Sequence, residues 1–440
     1  QEYTNMEYSV EQEPNRAIIT SKWGEIETAE VKKDTQVRYL GGVKSPILTE
    51  VKKSDKVTVL EDEDDWMKVA TADGYVGYIK TKFLKNQKKE KTSRDFTEPV
   101  YSDMTEDHSI NMAWHNVTNA AANNAVQQVL ASTSGLTTIA PTWFSLADTE
   151  GNISSIADAD YVNYAHTAGL EVWAVFRDFH GGTNSYDETY ETLRYTSKRA
   201  KLEDQVVAAA VAAGVDGINL DFELISSKCG VHYVQLVREL SVKCHQNNLV
   251  FSVDNYVPQS YNSHYDLKEQ GIVADYVVIM AYDEHTEGSY EAGSVASISY
   301  LQDGIEKTLK KVSADKVIAG IPFFTRLWFE TAKSPEQLSE EAGTEAASYP
   351  NKVSSKALGM EEAAQSVVNA GATAQWDEKT QQNYAKWSAD GGTYRIWLED
   401  AQSLEAKLKV IQENKLAGVA EWSLGKEESS VWKLISQYVN

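Results

Sequence analysis

The sequence predicts an α/β protein built on a (β/α)8 barrel, the TIM-barrel architecture, with an α+β insertion before the last strand and a small all-β domain near the amino terminus. Three observations predict it. After residue 98, eight strand-like runs alternate with helical patterns. One gap between those runs is too long for a single loop and helix. Residues 26–85 hold short β-patterned runs separated by turn residues.

The amino-terminal part divides into three predicted segments. Residues 1–25 are interpreted as a residual strand or linker, and residues 26–85 as the small all-β domain. Inside that domain the polar and apolar alternation breaks at Asp73-Gly74, a pair preferred in hairpin turns. Residues 86–97 are rich in charge and lack an apolar period, so we expect a linker there.

The barrel is predicted over residues 98–440. Its eight strand-like runs lie at residues 110–117, 136–144, 170–176, 215–223, 249–257, 274–283, 316–324 and 417–424. The alternative, an open doubly wound sheet, lacks the glycine-rich phosphate loop expected after its first strand. The gap from 325 to 416 contains strand-like runs of its own, which predicts an inserted subdomain at about residues 325–398. We expect it to rise from the carboxyl-end rim and to form a wall of the active site.

Charge and hydropathy exclude several classes of partner. The formal net charge is −23, of which −1 falls in residues 1–95 and −22 in residues 96–440. The larger part of the chain would repel nucleic acid and other polyanions, whereas it would accept a neutral substrate. No apolar run is long enough to cross a bilayer. We therefore expect no nucleic-acid partner and no membrane span, and the oligomeric state stays open.

The two cysteines are expected to be free thiols. Cys229 and Cys244 bracket a helical pattern that would hold their backbones roughly 22 Å apart, beyond the roughly 7 Å limit for a disulfide. A cysteine-poor chain is compatible with bacterial export, and the start at Gln1 without an initiator methionine suggests a longer precursor. We expect a secreted or cell-envelope-associated bacterial protein.

Residues 216–223, DGINLDFE, place acids in a segment otherwise typical of a buried strand. Side chains alternate between faces along a strand, so Asn219, Asp221 and Glu223 share one face. The outward face of a barrel strand packs on helices, so this polar face must point into the barrel. Glu223 then falls at the carboxyl end of the strand, where such barrels carry their active sites. Because burying ionised carboxylates is costly, we interpret these acids as retained for chemistry.

Four motifs in the chain resemble glycoside hydrolase family 18, the chitinases and related N-acetylglucosaminidases. DGINLDFE is similar to the family's DGxDxDxE, and three further motifs follow in the family's order: MAYD at 280–283, GIPFFTRLW at 320–328 and VAEWSL at 419–424. The resemblance covers about residues 98–440. It implies a (β/α)8 barrel that cleaves β-1,4-linked N-acetylglucosamine without a cofactor or metal.

Residues 26–85 resemble a bacterial SH3-like domain, through VRYLGGVKSPILTEVKKSDKVTVL, Trp66 and GYVGYI. That resemblance implies a cell-wall peptide as a partner. A plain spacer or packing module is the alternative.

The resemblance to the hydrolase family also implies a role for each matching residue. Glu223 would be the general acid and later the base, while the substrate's own acetamido oxygen acts as the nucleophile and the product retains its configuration. Asp221 would hold the acetamido N–H and raise the pKa of Glu223, and Tyr282 would donate to the acetamido oxygen. The predicted substrate-binding residues, some from the motifs and some from their position near strand ends, are Asn219, Asp283, Trp422, Tyr256, Met280, Trp143 and Arg326.

Departures from the family pattern bear on the substrate. Asn219 stands where the family has Asp, Phe222 stands where chitinases carry Trp, and the third strand lacks a clear SxGG. These differences resemble the branch that processes spore cortex and peptidoglycan, so the substrate is open between peptidoglycan and chitin-like polymers, as is endo or exo action. Two alternatives are a non-catalytic carbohydrate-binding or wall-anchoring protein and an endo-β-N-acetylglucosaminidase acting on N-glycan cores.

Overall fold

The computed structural model describes residues 25–91 and 103–439. The chain divides into two compact units, Gln1–Val100 and Tyr101–Asn440. The strand or linker predicted for residues 1–25 lies outside the described residues, apart from its last residue, as does the second half of the linker predicted at 86–97.

The first unit is a seven-stranded antiparallel sheet with a small apolar core of its own. Its strands are β1 (Glu25–Val31), β2 (Thr35–Arg38), β3 (Ile47–Val51), β4 (Lys56–Glu63), β5 (Trp66–Ala70), β6 (Val76–Lys80) and β7 (Leu84–Lys91). They lie in the order β3-β2-β6-β5-β4-β1-β7. The predicted turn at Asp73-Gly74 joins β5 to β6, and Gly74 takes the positive φ of 87° that favours glycine there.

The prediction of a linker at residues 86–97 is wrong in its first part. β7 continues to Lys91 and pairs antiparallel with β1 along its whole length. Most of its side chains are exposed and charged, and Lys85 forms an ion pair with Glu30 of β1 at 3.5 Å. A strand at the edge of a sheet needs no apolar alternation, and lysines there discourage pairing with another chain. The charge pattern therefore belongs to an edge strand.

The second unit is built on a closed barrel of eight parallel strands, which confirms the predicted fold. The barrel strands are β8 (Ile110–His115), β9 (Thr138–Pro141), β12 (Glu171–Arg177), β13 (Gly217–Asp221), β14 (Val250–Tyr256), β15 (Tyr276–Met280), β16 (Val317–Pro322) and β22 (Gly418–Trp422), and the short strands β10 (Phe144–Leu146) and β11 (Ile153–Ser155) follow β9. The ring closes because β8 pairs with both β22 and β9, and β9 with β12.

Helices cover the outside of the barrel. They are α1 (Val126–Leu130), α2 (Ala159–Thr167), α3 (Tyr186–Leu193), α4 (Thr196–Ala213), α5 (Gly230–Gln246), α6 (Leu267–Val273), α7 (Ile298–Leu309), α10 (Ala401–Glu413) and α11 (Val431–Val439). Helix α5 begins just after Cys229 and contains Cys244; both thiols are buried and, as predicted, free. Across residues 25–91 and 103–439, no helix combines the length and the apolar character needed to span a membrane.

The predicted α+β insertion is present between the seventh and eighth barrel strands. It contains β17 (Phe324–Ala332), β18 (Asn351–Gly359), β19 (Gln375–Asp377), β20 (Gln382–Ala389) and β21 (Gly392–Leu398), with helices α8 (Pro335–Glu340) and α9 (Met360–Asn369). Its five strands form one antiparallel sheet with a separate apolar core. β17 begins just after β16 ends, so the insertion starts at the carboxyl end of the barrel.

Candidate active site

A cavity of about 160 Å³ lies at the carboxyl end of the barrel strands. Its lining residues are Trp114, Phe179, Asp221, Glu223, Asp254, Tyr256, Met280, Tyr282, Asp283 and Trp422. Seven of the ten predicted site residues are therefore gathered in one place, while Asn219, Trp143 and Arg326 are not in the lining. The residues named above include none of the insertion, so the wall expected from the insertion stays a prediction.

Asp221 is the last residue of β13 and points into the barrel. Its side chain is 7% exposed, and its Oδ1 atom is buried without a hydrogen-bond partner. In the sheet register Asp221 lies opposite Arg177 of β12. Burial raises the pKa of Asp221 well above its ordinary value, and the carboxylates of Glu223 and Asp254 raise it further, while Arg177 lowers it. The carboxyl is thus held next to several other acids with one acceptor atom unused.

The backbone at Glu223 is fixed by an acid that the sequence analysis missed. Asp178, fully buried just after β12, accepts hydrogen bonds from the backbone N–H groups of Glu223 (2.9 Å) and Leu224 (3.0 Å). Thr189 of α3 donates a third bond to the same carboxyl at 3.1 Å. Burial raises the pKa of Asp178 to about 7. Asp178 therefore positions the backbone at Glu223 and Leu224.

The side chain of Glu223 reaches the cavity and accepts a hydrogen bond from the Tyr256 hydroxyl. Burial raises the pKa of Glu223; the bond from Tyr256 lowers it and the charge of Asp283 raises it. We predicted a raised pKa with Asp221 as its cause. The direction agrees: burial is the largest cause and the charge of Asp283 adds to it, while the repulsion between Asp221 and Glu223 raises the pKa of Asp221. A carboxyl with a raised pKa is suited to donate a proton near neutral pH.

Asn219 lies beneath the cavity and does not reach it. Its Oδ1 accepts from Trp114 Nε1 at 3.0 Å, and its Nδ2 donates to Ser252 Oγ (2.9 Å) and Asp254 Oδ1 (2.8 Å). The side chain is fully buried and its amide is occupied by protein groups. Our prediction of a substrate contact is therefore wrong for Asn219, because it holds Asp254 and Trp114 in place instead.

Trp143 faces the helices, so its predicted role as a sugar subsite is also wrong. It is 2% exposed, packs at 4.9 Å on the ring of Tyr161 in α2, and donates from Nε1 to Asn123 at 2.8 Å. Ile139, four residues earlier, faces the same helix layer. The alternation of the strand therefore already placed Trp143 outside the barrel.

Arg326 lies on β17 beside the cavity without lining it. Its guanidinium donates to Ser355 of β18 at 2.8 Å. Desolvation raises the pKa of Asp283, and the positive charges of Arg326 and Lys426 lower it. Arg326 thus acts on the site through the charge of a rim acid, and the structure shows no direct place for it against the sugar.

Aromatic side chains form the apolar part of the cavity. Trp114 of β8 contacts Trp422 of β22 at 6.0 Å and Tyr282 edge-on at 6.4 Å between ring centroids. Burial raises the pKa of Tyr282 well above its ordinary value, so its hydroxyl keeps its proton and remains a donor. Aromatic faces pack well against the apolar faces of sugar rings. The sequence analysis does not predict Trp114 or Phe179, although Trp114 lies near the end of β8 and shares a face with Ile110 and Met112.

Comparison with known proteins agrees with this geometry. The sequence profile of Glycosyl hydrolases family 18 matches residues 113–427, and that of the Bacterial SH3 domain matches residues 32–85. Relatives in Bacillus subtilis include the uncharacterized glycosylase YvbX, 26% identical over 65% of this chain and 80% of its own length. The cortical fragment-lytic enzyme of the same organism is 27% identical over 56% of this chain and 54% of its own length. This chain thus spans about half of that second relative.

Solved structures share the fold. The spore cortex-lytic enzyme SleL of Bacillus megaterium has a TM-score of 0.62 at 20% identity, over 78% of this chain and 76% of that chain. A chitinase from Chromobacterium violaceum has a TM-score of 0.62 at 21% identity, over 75% of this chain and 98% of that chain. The region that the family profile matches, residues 113–427, contains the carboxylates and aromatic residues of the cavity. The chain therefore belongs to glycosyl hydrolase family 18 and is a glycosidase related to spore cortex-lytic enzymes and chitinases.

Proposed function

We propose that this glycosidase cleaves β-1,4-linked N-acetylglucosamine in peptidoglycan or chitin-like polymers, with retention and with the substrate's acetamido group as the nucleophile. One observation carries the proposal. Glu223, an acid with a raised pKa, stands at a cavity whose deeper acid, Asp221, keeps a buried oxygen without a partner. A buried acceptor with no partner in the protein is costly, and an acetamido N–H of the substrate would satisfy it.

The reaction follows from these positions. Glu223 would give its proton to the glycosidic oxygen while the acetamido carbonyl oxygen attacks the anomeric carbon from the opposite face and the glycosidic bond breaks. Asp221 would accept the acetamido N–H and stabilise the positive charge of the cyclic oxazolinium, and the Tyr282 hydroxyl would donate to the acetamido oxygen. Glu223 would then take a proton from water as that water opens the ring.

Removal of the general acid tests the proposal. Glu223→Gln keeps the size of the side chain but holds no transferable proton, so we expect kcat on fluorogenic N-acetylglucosamine oligosaccharides to fall on the order of 10² to 10⁴. Glu287→Gln, on the exposed segment after Asp283, is the matched control and should leave kcat unchanged. The proposal is wrong if Glu223→Gln is as active as wild type.

The mechanism has separate tests. Proton NMR of the first product should show the β anomer, and oligosaccharides with glucose in place of N-acetylglucosamine should not be cleaved. An α product, or equal cleavage of the glucose analogues, contradicts the role of the acetamido group. Incubation with purified sacculi, N-acetylglucosamine pentamers and an N-glycosylated protein, followed by product analysis, distinguishes the three substrate classes and shows endo or exo action.

A peptidoglycan substrate lies outside the cytoplasmic membrane, so we propose a secreted or envelope-associated enzyme. Fractionation of the producing cells tests this location. Recovery of the mature protein only in the cytoplasm contradicts it.

The amino-terminal domain offers a second, separate site. A cavity of about 420 Å³ is lined by Lys33, Asp34, Thr35, Gln36, Arg38, Val43, Glu50, Trp66, Lys80 and Phe83. Lysine ammonium groups lie over two of its rings, Lys33 at 4.3 Å from Phe83 and Lys80 at 5.5 Å from Trp66. Cations beside aromatic rings suit a peptide that carries carboxylates. We propose that this domain binds wall stem peptides.

NMR titration of the full chain with a synthetic stem peptide tests the second site. Shifts of the Trp66 indole resonance are expected with the free peptide and not with the same peptide amidated at its carboxylates. Equal shifts with both peptides, or none with either, favour the spacer role.

A further inference from the structure

Asp254 is an acid of the cavity that the family motifs do not contain. It lies on β14, the strand next to β13, and the register pairs Leu220 with Val253. Asp221 and Asp254 follow directly on the two strands, whose backbones lie about 4.8 Å apart in a sheet. Both side chains line the same cavity. The two carboxyl groups are therefore neighbours on the inner face of the barrel.

Each of these acids keeps one oxygen without a partner. Asp221 Oδ1 and Asp254 Oδ2 are both buried and make no hydrogen bond, while Asp254 Oδ1 accepts from Asn219. Asp254 is 2% exposed. Two carboxylates buried side by side cannot both be ionised at low cost, so one of them keeps a proton. In the free enzyme a proton between the two unpartnered oxygens would satisfy both of them, and the acetamido N–H of the substrate would take its place at Asp221 when the sugar binds.

Among the groups around Asp221, Asp254 is the one placed to take up the proton of Asp221. The charged or titratable groups that act on the pair are Arg177 and Asp178 at the end of β12, Glu223 after β13, Tyr233 of α5, Tyr256 on β14, and Tyr282 and Asp283 after β15. Asp178 is bound to two backbone N–H groups and Glu223 to Tyr256. Asn219, on the same face of β13, carries an amide that cannot take up a proton. Besides Asp221 itself, only Asp254 among the described residues that line the cavity combines a carboxyl with a buried oxygen that lacks a partner.

We propose that Asp254 acts through Asp221: it accepts the proton of Asp221 so that Asp221 can face the reacting sugar as a carboxylate. The transfer is internal and balanced. The O–H bond of Asp221 breaks, an O–H bond forms at Asp254 Oδ2, and the negative charge moves to Asp221 as positive charge develops on the oxazolinium. The inference rests on the acetamido mechanism proposed above. Burial raises the pKa of Asp254 to about 8, which agrees with a carboxyl that holds a proton at neutral pH.

The pH profile of Asp254→Asn tests the proposal. Without Asp254 the proton of Asp221 must leave to solvent, and burial still raises the pKa of Asp221. We therefore expect kcat of the variant to fall about tenfold for each pH unit on the acid side of that pKa, and to recover as the pH rises. In wild type the proton stays between Asp221 and Asp254. The fall of kcat on the acid side of the pH profile should therefore begin at a lower pH than in the variant. KM should change little.

A second experiment moves the carboxylate from position 254 to position 219 and tests whether a neighbouring acid is sufficient. The double variant Asn219→Asp/Asp254→Asn moves the acid from β14 to the same face of β13 and should return the acid limb toward its wild-type position. Glu171→Gln replaces a partly buried acid at the amino end of β12 and is the matched control, with no effect on the profile. The proposal is overturned if Asp254→Asn keeps the wild-type profile and kcat.

A measurement without substrate separates this proposal from the proposed function. Carboxyl ¹³C resonances of aspartate-labelled protein should titrate as two coupled steps for Asp221 and Asp254 in wild type, and as a single step for Asp221 in Asp254→Asn. Independent titration in wild type refutes the shared proton even if the enzyme is active. A coupled titration in an enzyme that cleaves no N-acetylglucosamine polymer refutes the proposed function and leaves the pair standing.

Discussion

Buried carboxyl groups occur in two kinds of surroundings in the second unit. Glu399, between β21 and α10, is 2% exposed, and both of its oxygens accept from Lys407 at 2.8 and 2.9 Å, with further bonds from Ser403 and Gln382. Asp221 and Asp254 are equally deep but each keeps an oxygen without a partner. Buried polar groups are normally paired. The difference teaches that one set of acids is fully bonded within the fold, whereas the other keeps free acceptor atoms, which the proposals above assign to a proton and a substrate.

The largest expected effect comes from breaking the paired set. Lys407→Met removes the only cation bound to Glu399 among the described residues and leaves a buried charge behind, so we expect the free energy of unfolding to drop by about 3–5 kcal/mol. The folded fraction should keep its kcat because neither residue touches the cavity. Thermal unfolding and kinetics on the same sample check both statements.

A surface pair provides the control for Lys407→Met. Lys409 forms an ion pair with Glu405 at 3.0 Å on the same helix, but both side chains are largely exposed to solvent. Lys409→Met should therefore leave the melting temperature unchanged. Equal melting temperatures for the two variants contradict the assignment of Glu399 and Lys407 to the fold.

The unpartnered set predicts the opposite combination of effects. Asp221→Asn keeps the shape of the side chain but loses the charge, so we expect kcat to fall on the order of 10² to 10³. Stability should stay equal or rise, because the carboxyl is desolvated beside other acids without full hydrogen bonding. The melting temperature measured beside kcat separates the two effects. A loss of stability together with activity places Asp221 in the structural set.

The sequence predicted the fold and the centre of the site because both depend on local patterns. Eight apolar runs alternating with helices give the barrel, and the two-residue period of β13 turns Asp221 and Glu223 inward. The same period on β14 turns Asp254 inward with Tyr256. Its proximity to Asp221, however, depends on which strands are neighbours and in which register, and a single strand does not carry that information.

The remaining errors also have physical causes. Asp178 acts through backbone N–H groups beyond the end of a strand, where no side-chain period applies. The inward-facing position of Asn219 predicts a contact with the substrate, but the side chain lies too deep in the barrel to reach the cavity. The sequence of β7 predicts a linker because the strand lies at the edge of its sheet and is mainly exposed. Its residues are therefore largely charged and show no apolar period. In each case the contacts of the residue depend on which strands are neighbours or on how deep the side chain lies. The folded chain shows both, and the sequence of a single strand does not.

Glu421 offers a test of whether a buried carboxyl without hydrogen-bond partners is by itself enough to indicate a role in activity. It lies on β22 next to Trp422, is fully buried, and neither of its oxygens has a partner. Its register neighbours Ile321 and Ala113 belong to the helix-facing core, so Glu421 points away from the cavity. We therefore expect Glu421→Gln to leave kcat unchanged, which would restrict the comparison to acids that also line the cavity.

The stability of the same variant should depend on pH in a defined direction. Burial raises the pKa of Glu421 well above its ordinary value, with a smaller contribution from Glu427, so the folded protein keeps the proton at a pH where the unfolded chain has lost it. Wild type then loses stability at about 1.4 kcal/mol per pH unit as the pH rises above roughly 4.3, until the folded pKa is reached.

Glutamine does not titrate, so Glu421→Gln removes that part of the slope. The buried amide has its own desolvation cost at every pH, which offsets part of the gain near neutrality. Between pH 4.5 and 8, the melting temperature of the variant minus that of wild type should increase as the pH rises. Parallel curves would mean that Glu421 is ionised in the folded protein and has found a cation or a donor. In that case the acid belongs with Glu399 among the groups that hold the fold.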